Sequence, residues 1–434
     1  MKLQTVAIAT LLAANAAQAE VTVENIMVAP INLGVVTFKS GTEMSFDVGI
    51  GSGATHWAGQ DADAFYTLAD RGPNIKCKSA EKVTGLGFDV MCAGEKGSKI
   101  FPMPDFTPVI LEYRWETNGI ELLREIPLTG QSGKPISGIT NPLTVTNTES
   151  AFGADGVQIP FDPSGLDTEG LAVAPDGSFW IGEEYGASIL HVSADGKILA
   201  RFVPEGMETD LAGADYPVYG ALPAIIAKRK LNRGIEGVAL SPDGSALYFA
   251  MQSPLANPDV AAYKNGAFLR IFKFDIAGQS VTGEWLYPMD DPTGFVSDNA
   301  ATARTNKDVK VSELAMLPDG QLLVLERISK TTRLYRVDPD GPPTVPGRFD
   351  DPATTPTLEQ LGAGELATAG VTPLVKTLVL DSDTLAGKPV KKLEGIAIMG
   401  PNQLIMVNDN DFGLGGATHM LRLTFPQDIE QTEN

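Results

Sequence analysis

Four glutamates, Glu169, Glu236, Glu313 and Glu394, each stand near the start of a segment with a shared grammar. The segments are DTEGLAVAPDGSFWIGEEYG from Asp167, GIEGVALSPDGSALYFAMQSP from Gly234, KVSELAMLPDGQLLVLERIS from Lys310 and KLEGIAIMGPNQLIMVNDNDFG from Lys392. After each glutamate come an apolar run, a turn (Pro-Asp-Gly in three copies, Gly-Pro-Asn in the fourth), a second apolar run and a polar ending. The endings are Glu183-Glu184, Gln252, Glu326-Arg327 and Asn408-Asp409-Asn410-Asp411. A fifth, diverged segment, GIGSGATHWAGQDADAFYTLADRGPN, lacks the glutamate and ends on Asp70-Arg71.

Each segment reads as a β-hairpin. The start of its first strand and the end of its second lie at the same end of the sheet, so the repeat gathers its polar residues on one face. Carboxylates that converge there raise one another's pKa unless a cation neutralises them. Ca²⁺ suits such a mouth, because it takes roughly six to eight oxygens without strict geometry. The expected ligands are Glu169, Glu236, Glu313, Glu394, Asp70, Asn408, Asp409, Asn410 and Asp411. The alternative is that each glutamate caps its own hairpin by accepting backbone N–H bonds.

Arg71 and Arg327 put guanidinium groups beside these acids, either as structural counter-ions or as clamps for an anionic group such as phosphate. With Glu184 and Glu326 they form the candidate catalytic set. The three histidines, His56, His191 and His419, are scattered and do not form a zinc motif. There is no Gly-x-Ser-x-Gly elbow, and Gly51-Ser52-Gly53 sits in a strand context, which disfavours a serine-triad esterase. A metal-bound water or a metal-polarised substrate fits better.

Both runs of each hairpin are almost wholly apolar, so the hairpins must be covered on both faces. Further strand-like runs, such as Phe268–Asp275 and Ser280–Tyr287, bring each unit to about four strands. Four-stranded units repeated around an axis predict an all-β fold, a β-propeller with five or six four-stranded blades. The repeat glutamates lie farther apart than the roughly 40–50 residues of compact propeller repeats, so long inter-blade loops are expected. Gly130–Leu166 could hold the sixth blade. The last unit, Lys392 to Phe425, is one strand short, and Val21–Thr37 could supply that strand and close the ring. Ala221–Lys230 is the best helix candidate.

The opening MKLQTVAIATLLAANAAQAE has Lys2, an apolar run and Ala17-Gln18-Ala19, the pattern of a signal peptide over residues 1–19. Residues 20–434 then form a single β-propeller domain, periplasmic or secreted, with no membrane span. The formal net charge of −21 argues against nucleic acid and for a cation, although solubility alone could account for most of the acids. The expected partner is a small anionic or ester substrate, and the chain is expected to be a monomer. Cys77 and Cys92, the only cysteines, are read as a disulfide, with two separate buried thiols as the alternative.

The phrases DTEGLAVAPDGSFWIGEEYG, IEGVALSPDGSALYFAMQSP, LLVLERIS, LEGIAIMGPNQLIMVNDNDFG and LADRGPN together resemble the phytase-like family with esterase-like activity, exported bacterial propellers. The resemblance runs from about Gly51 to Phe425. It implies a Ca²⁺-associated propeller that hydrolyses phosphate or carboxylic esters. The third repeat departs from the family pattern, reading Ser-Glu-Leu where the others have Glu-Gly, which puts the role of Glu313 in doubt. The leading expectation is a Ca²⁺-dependent hydrolase of phosphate esters or other esters. A lactonase of the gluconolactonase or paraoxonase type, and a non-catalytic propeller stabilised by Ca²⁺, remain as alternatives.

Overall fold

The computed structural model describes residues 20–431 apart from 118 and 386–389. The expected leader, residues 1–19, lies outside the described residues. The chain is all-β with a few short helices. Five sheets follow one another along the sequence, each an antiparallel meander whose first strand is one arm of a repeat hairpin.

The first sheet runs Gly53–Thr55, Ala64–Leu68, Val109–Glu116, Gly119–Pro127. The second runs Thr168–Val173, Phe179–Glu183, Ser188–Val192, Ile198–Pro204, with Val218–Leu222 added in parallel at its edge. The third is Ile235–Leu240, Ala246–Met251, Phe268–Asp275, Ser280–Pro288, and the fourth is Lys310–Met316, Leu322–Arg327, Thr332–Val337, Lys376–Asp381. The fifth has three consecutive strands, Leu393–Gly400, Gln403–Asn408 and His419–Thr424. Thr22–Met27 supplies its fourth, antiparallel, with Thr22 opposite Thr424 and Met27 opposite His419. Of the run Val21–Thr37 expected to complete the last unit, Thr22–Met27 does so, while Asn32–Thr37 pairs with Glu43–Asp47 in a separate hairpin.

The hairpins are apolar on both faces because each sheet packs against two neighbours. Ile235, Val238 and Phe249 meet Trp180, Ile189 and Phe202 between the third and second sheets. Comparable cores lie between first and second, third and fourth, and fourth and fifth sheets. A fifth core joins Ala54, Phe65 and Leu111 of the first sheet to Ala397, Ile405 and Met420 of the fifth. Each fully buried side chain of this kind contributes about 1.5–3 kcal/mol relative to exposure. The first strands also touch in the same cyclic order, first to second and so on to the fifth, which returns to the first.

The glycine after the repeat glutamate is explained by that contact. A Cβ at Gly170 would lie 2.2 Å from the Glu236 carbonyl oxygen, and one at Gly237 would lie 2.5 Å from the Leu314 nitrogen. The neighbouring backbone fills the space a side chain would need. In the second, third and fifth sheets the glutamate itself sits in a bulge: Leu393 opposes Asn408 and Gly395 opposes Val407, leaving Glu394 unpaired. Glu169 and Glu236 are skipped in the same way.

The fourth sheet corrects the sequence register. Val311 opposes Glu326 and Glu313 opposes Leu325, so the residue in the bulge is Ser312. Glu313 therefore occupies the glycine position. The Pro-Asp-Gly turn lies one residue closer to Glu313 than to the other repeat glutamates, and a slip of one residue turns a side chain to the opposite face.

Between the second and third strands of the first sheet lies an insertion with two short helices, Ala80–Thr84 and Phe88–Met91. A small sheet of two-residue strands accompanies it, in the order Gln158–Ile159, Ala151–Phe152, Lys99–Ile100, Ile75–Lys76. Cys77 and Cys92 form a disulfide here, with their Cα atoms 6.1 Å apart. Ala221–Lys230 is not an α-helix: Val218–Leu222 is a strand and Ala224–Lys228 a 3-10 turn after Pro223. Leu222, Ile225 and Ile226 are drawn into the core between the second and third sheets. No helix among the described residues is long and apolar enough to cross a membrane.

Candidate functional site

The bulge residues of the first strands in the second to fifth sheets are Glu169, Glu236, Ser312 and Glu394, and Ser52 immediately precedes the first strand of the first sheet. At the ends of the second strands come Asp70, Glu184, Gln252, Arg327 and Asp409: Arg327 is the last paired residue, Glu184, Gln252 and Asp409 lie one residue past the pairing, and Asp70 lies two past it. Two residues before the bulge, Asp167, Lys310 and Lys392 complete the set in the second, fourth and fifth sheets. Apart from the two serines, all of these line one cavity of about 430 Å³, within the usual size of small-molecule sites.

One wall is acidic. Asp70, Asp167 and Glu169 can place carboxylate oxygens within 4.8 Å of one another, as can Glu169, Glu184 and Glu236, so Glu169 belongs to both groups. Burial, reinforced by Asp167, raises the Asp70 pKa well above the usual carboxylate range. Burial, then the charges of Asp70 and Glu236, does the same to Glu169. Burial and Asp167 raise Glu184, and burial with Glu184 and Glu394 pushes Glu236 up to about 8. No hydrogen bond or ion pair from a described side chain relieves Glu169 or Glu184. Clustered carboxyl oxygens in a dry site are the donor set a hard divalent cation prefers.

The rest of the lining departs from the acidic mouth expected from the repeats. The cavity gathers ten of the chain's cations, from 33 in the whole sequence, but only nine of its 54 acids. The side chain of Lys310, two residues before its bulge, makes no hydrogen bond or ion pair to a described residue. Burial, together with Arg233 and Arg327, lowers its pKa to about 7. Arg233 donates to the Gln252 side chain and has no carboxylate partner among the described residues.

The expected arginines are committed to the protein. Arg71 donates to Asp167 at 2.9 Å and to the Gly138 carbonyl at 3.1 Å, and its guanidinium lies 4.9 Å from the Tyr185 ring centre. Arg327 donates to Glu394, to Ser312 Oγ at 2.9 Å and to the Ile328 carbonyl at 2.8 Å. Both line the cavity as counter-ions.

The structure brings together Glu169, Glu236, Glu394, Glu184, Asp70, Asp409, Asp411, Arg71 and Arg327 of the expected site residues. Asp409 and Asp411 share Lys392 Nζ. The remaining four lie elsewhere. Glu326 accepts from Tyr287 Oη, the Asp290 amide and Lys376 Nζ at 2.8, 2.8 and 2.9 Å, away from the cavity. Glu313 is fully buried among the first strands, with Oε1 accepting the Val238 and Leu314 amides and Oε2 without a partner. Asn408 braces the following loop through the Asp409 and Ala417 carbonyls and the His419 amide. Asn410 is buried outside the lining.

Sequence reasoning overlooked Asp167, Lys310, Lys392, Arg233 and the lysines of the stapled insertion. The first three recur at one offset from the bulge, a signal present in the repeats. Arg233 and the insertion lysines reach the cavity through long-range packing, and nothing in their local sequence marks them.

A family model described as phytase-like, esterase-like activity of phytase, matches residues 47–412. An uncharacterized secreted protein of Arthroderma benhamiae is 26% identical over 237 residues, covering 49% of this chain and 46% of its own length. The chain thus matches about half the length of that relative. Among solved structures, virginiamycin B lyase from Staphylococcus aureus aligns over 94% of this chain and 100% of its own, at 12% identity and a TM-score of 0.33. The PQQ-bound aldose sugar dehydrogenase of Streptomyces coelicolor aligns over 94% and 98%, at 10% identity and a TM-score of 0.30.

Proposed function

The chain belongs to the phytase-like family described by the esterase-like activity of phytase, and from that premise we propose that it is an exported, Ca²⁺-dependent hydrolase of phosphate esters. Its five cyclically packed sheets are read as the blades of a five-bladed β-propeller, with the site at the central mouth. Export is supported by the secreted relative, by the Cys77–Cys92 bridge and by the leader pattern.

The observation that carries the reading is the two-sided cavity, in which a buried cluster of carboxyl groups shares the lining with Lys310 and Arg233, cations that have no ion-pair partner among the described residues. Asp70, Asp167, Glu169 and Glu236 would hold the cation. When bound, such an ion supplies Lewis acidity toward a phosphoryl oxygen. Lys310 and Arg233 hold the phosphate oxygens. An arriving dianion offsets the charges of Arg233 and Arg327 that depress the Lys310 pKa, so the amine takes up a proton and binds as ammonium. Glu184, kept basic by burial and Asp167, accepts the proton of the attacking water. Arg71 and Arg327 pair with Asp167 and Glu394 and hold them in place.

A panel of phosphomonoesters, carboxyl esters and lactones, assayed with EDTA and with added Ca²⁺, tests the reading. Phosphomonoester turnover that EDTA abolishes and Ca²⁺ restores is expected, with Glu169→Gln losing Ca²⁺ affinity and rate together. Turnover of lactones or carboxyl esters alone would overturn the substrate assignment, and no turnover on any substrate would favour a binding module.

A further inference from the structure

Residues 338–375, between the third and fourth strands of the fourth sheet, form a lobe that reaches back over the outer edge of the third sheet. Along the outermost strand there, Ser280–Pro288, the Val345 amide donates to the Glu284 carbonyl at 2.8 Å and the Leu374 amide to the Leu286 carbonyl at 2.9 Å. Val345, Phe349, Leu358 and Leu361 pack on Phe268 and Leu286. Inside this seam lies one buried cation, Arg270 of the third sheet. It donates to Glu284 of its own sheet at 2.8 Å, and to Glu359 of the lobe at 2.7 Å and the Phe349 carbonyl at 3.2 Å. Asp350 of the lobe stands 3.6 Å from the same guanidinium nitrogen that serves Glu284. Three carboxyl groups thus share a single positive charge, too little to keep all three ionised out of water. Asp350 Oδ1 and Glu359 Oε2 are buried and have no hydrogen-bond donor among the described residues. A proton on Glu284 supplies a donor, since a protonated carboxyl donates where two carboxylates would repel. Burial, opposed by Arg270 and reinforced by Asp350, pushes the Glu284 pKa up to about 8.

We propose that a proton shared between Glu284 and Asp350 latches this lobe to the third sheet, which makes the lobe a pH-sensitive element that loosens when the proton leaves. Nothing in this depends on the phosphate-ester reading. In the closed form Glu284 accepts from Arg270 through one oxygen and donates to Asp350 through the other. Once the proton is lost, two carboxylates meet over one guanidinium, and separation of the lobe returns Asp350 to water. In the open form Glu284 goes back to its ordinary value of 4.5, so the closed form holds the extra proton between about pH 4.5 and 8. Its advantage is full below that window and is lost as pH rises through it. Phe349, whose carbonyl Arg270 holds, also lines a cavity of about 390 Å³ with Arg348, Pro356 and Leu361, so loosening the lobe reshapes that cavity.

Hydrogen–deuterium exchange of the intact protein, read peptide by peptide and corrected for the intrinsic pH dependence of exchange, tests the latch. Protected amides of the lobe are expected to exchange at least about tenfold faster at pH 8 than at pH 6. Glu284→Gln accepts from Arg270 and donates to Asp350 at every pH, so that increase should vanish from the lobe. In Asp350→Asn it should shrink, because Glu284 then meets an amide donor and ionises without repulsion. A lobe that shows no increase in the unaltered protein, or the same increase in Glu284→Gln, overturns the latch. An increase lost in Glu284→Gln but unaltered in Asp350→Asn overturns the sharing of the proton with Asp350. The Asp350 side chain is 37% exposed and Asn matches its size, so that variant decides even if Glu284→Gln fails to fold. No substrate enters the measurement, and its outcome stands apart from that of the hydrolysis panel.

Discussion

The most consequential residues are carboxyls that hold protons they would release in water. Glu236, with a folded pKa of about 8, binds a proton in the folded state across the range where the unfolded chain has already lost it. The folded state therefore binds more protons between about pH 4.5 and 8, and the stability from that group is full below this window and lost as pH rises through it. Asp411, raised to about 6 by burial and Asp409, acts with the same sign. Lys310 opposes them only above its value of about 7. Without divalent cation, the melting temperature should fall between pH 5 and 7, at a rate on the order of 1 kcal/mol per pH unit for each such group. Millimolar Ca²⁺ should flatten the profile, and Glu236→Gln should flatten it without Ca²⁺. A scanning calorimetry series at fixed ionic strength checks both, and a melting temperature that rises over this range without Ca²⁺ would contradict the carboxyl cluster.

At the scale of the element, the site follows from alternation along a strand. Successive residues at the end of a second strand face opposite ways, so Glu183 and Glu326 turn into the sheets while Glu184 and Arg327 turn to the cavity. Glu183 is held by Arg201 Nη2 at 2.8 Å and Ser188 Oγ at 2.7 Å, as Glu326 is by Tyr287 and Lys376. The repeats revealed which strand ends gather, but taking both Glu326 and Arg327 as site residues ignored the period of two. Glu313 was misread for a related reason: its neighbours look like the other copies until the turn is aligned. In the glycine position it answers buried amides across the first strands. Glu313→Gln, which keeps an acceptor, should cost about 1 kcal/mol, whereas Glu313→Ala leaves the Val238 amide unanswered and should cost about 1–3 kcal/mol. Urea denaturation of the two variants checks the order, and equal stability would remove Glu313 from this bridging role.

For the whole molecule, composition and repeats were enough to read an all-β chain of repeated four-stranded units and to anticipate the strand that completes the last one. They did not reveal that the cavity is as much cationic as acidic, because four of its lysines arrive from an insertion whose placement depends on packing far along the chain, and Lys310 and Lys392 stand before the repeat glutamates on which attention fell. The completing strand makes a prediction of its own. Removing residues 20–28 strips Thr22–Met27 from His419–Thr424 and bares an edge of the fifth sheet. Such a truncation should melt at a lower temperature and self-associate in light scattering, while a monomer of unchanged stability would show the strand to be dispensable.

The pairing of Thr22–Met27 with His419–Thr424 also imposes an order of events on synthesis. A ribosome makes Thr22–Met27 long before its partner, so that strand waits while the four sheets between them are translated. The four other sheets can form from strands already at hand. The fifth cannot be completed, nor its edge protected, until the last stretch has emerged. Contacts so distant in sequence slow folding, and here they leave the fifth sheet open until His419–Thr424 has been made.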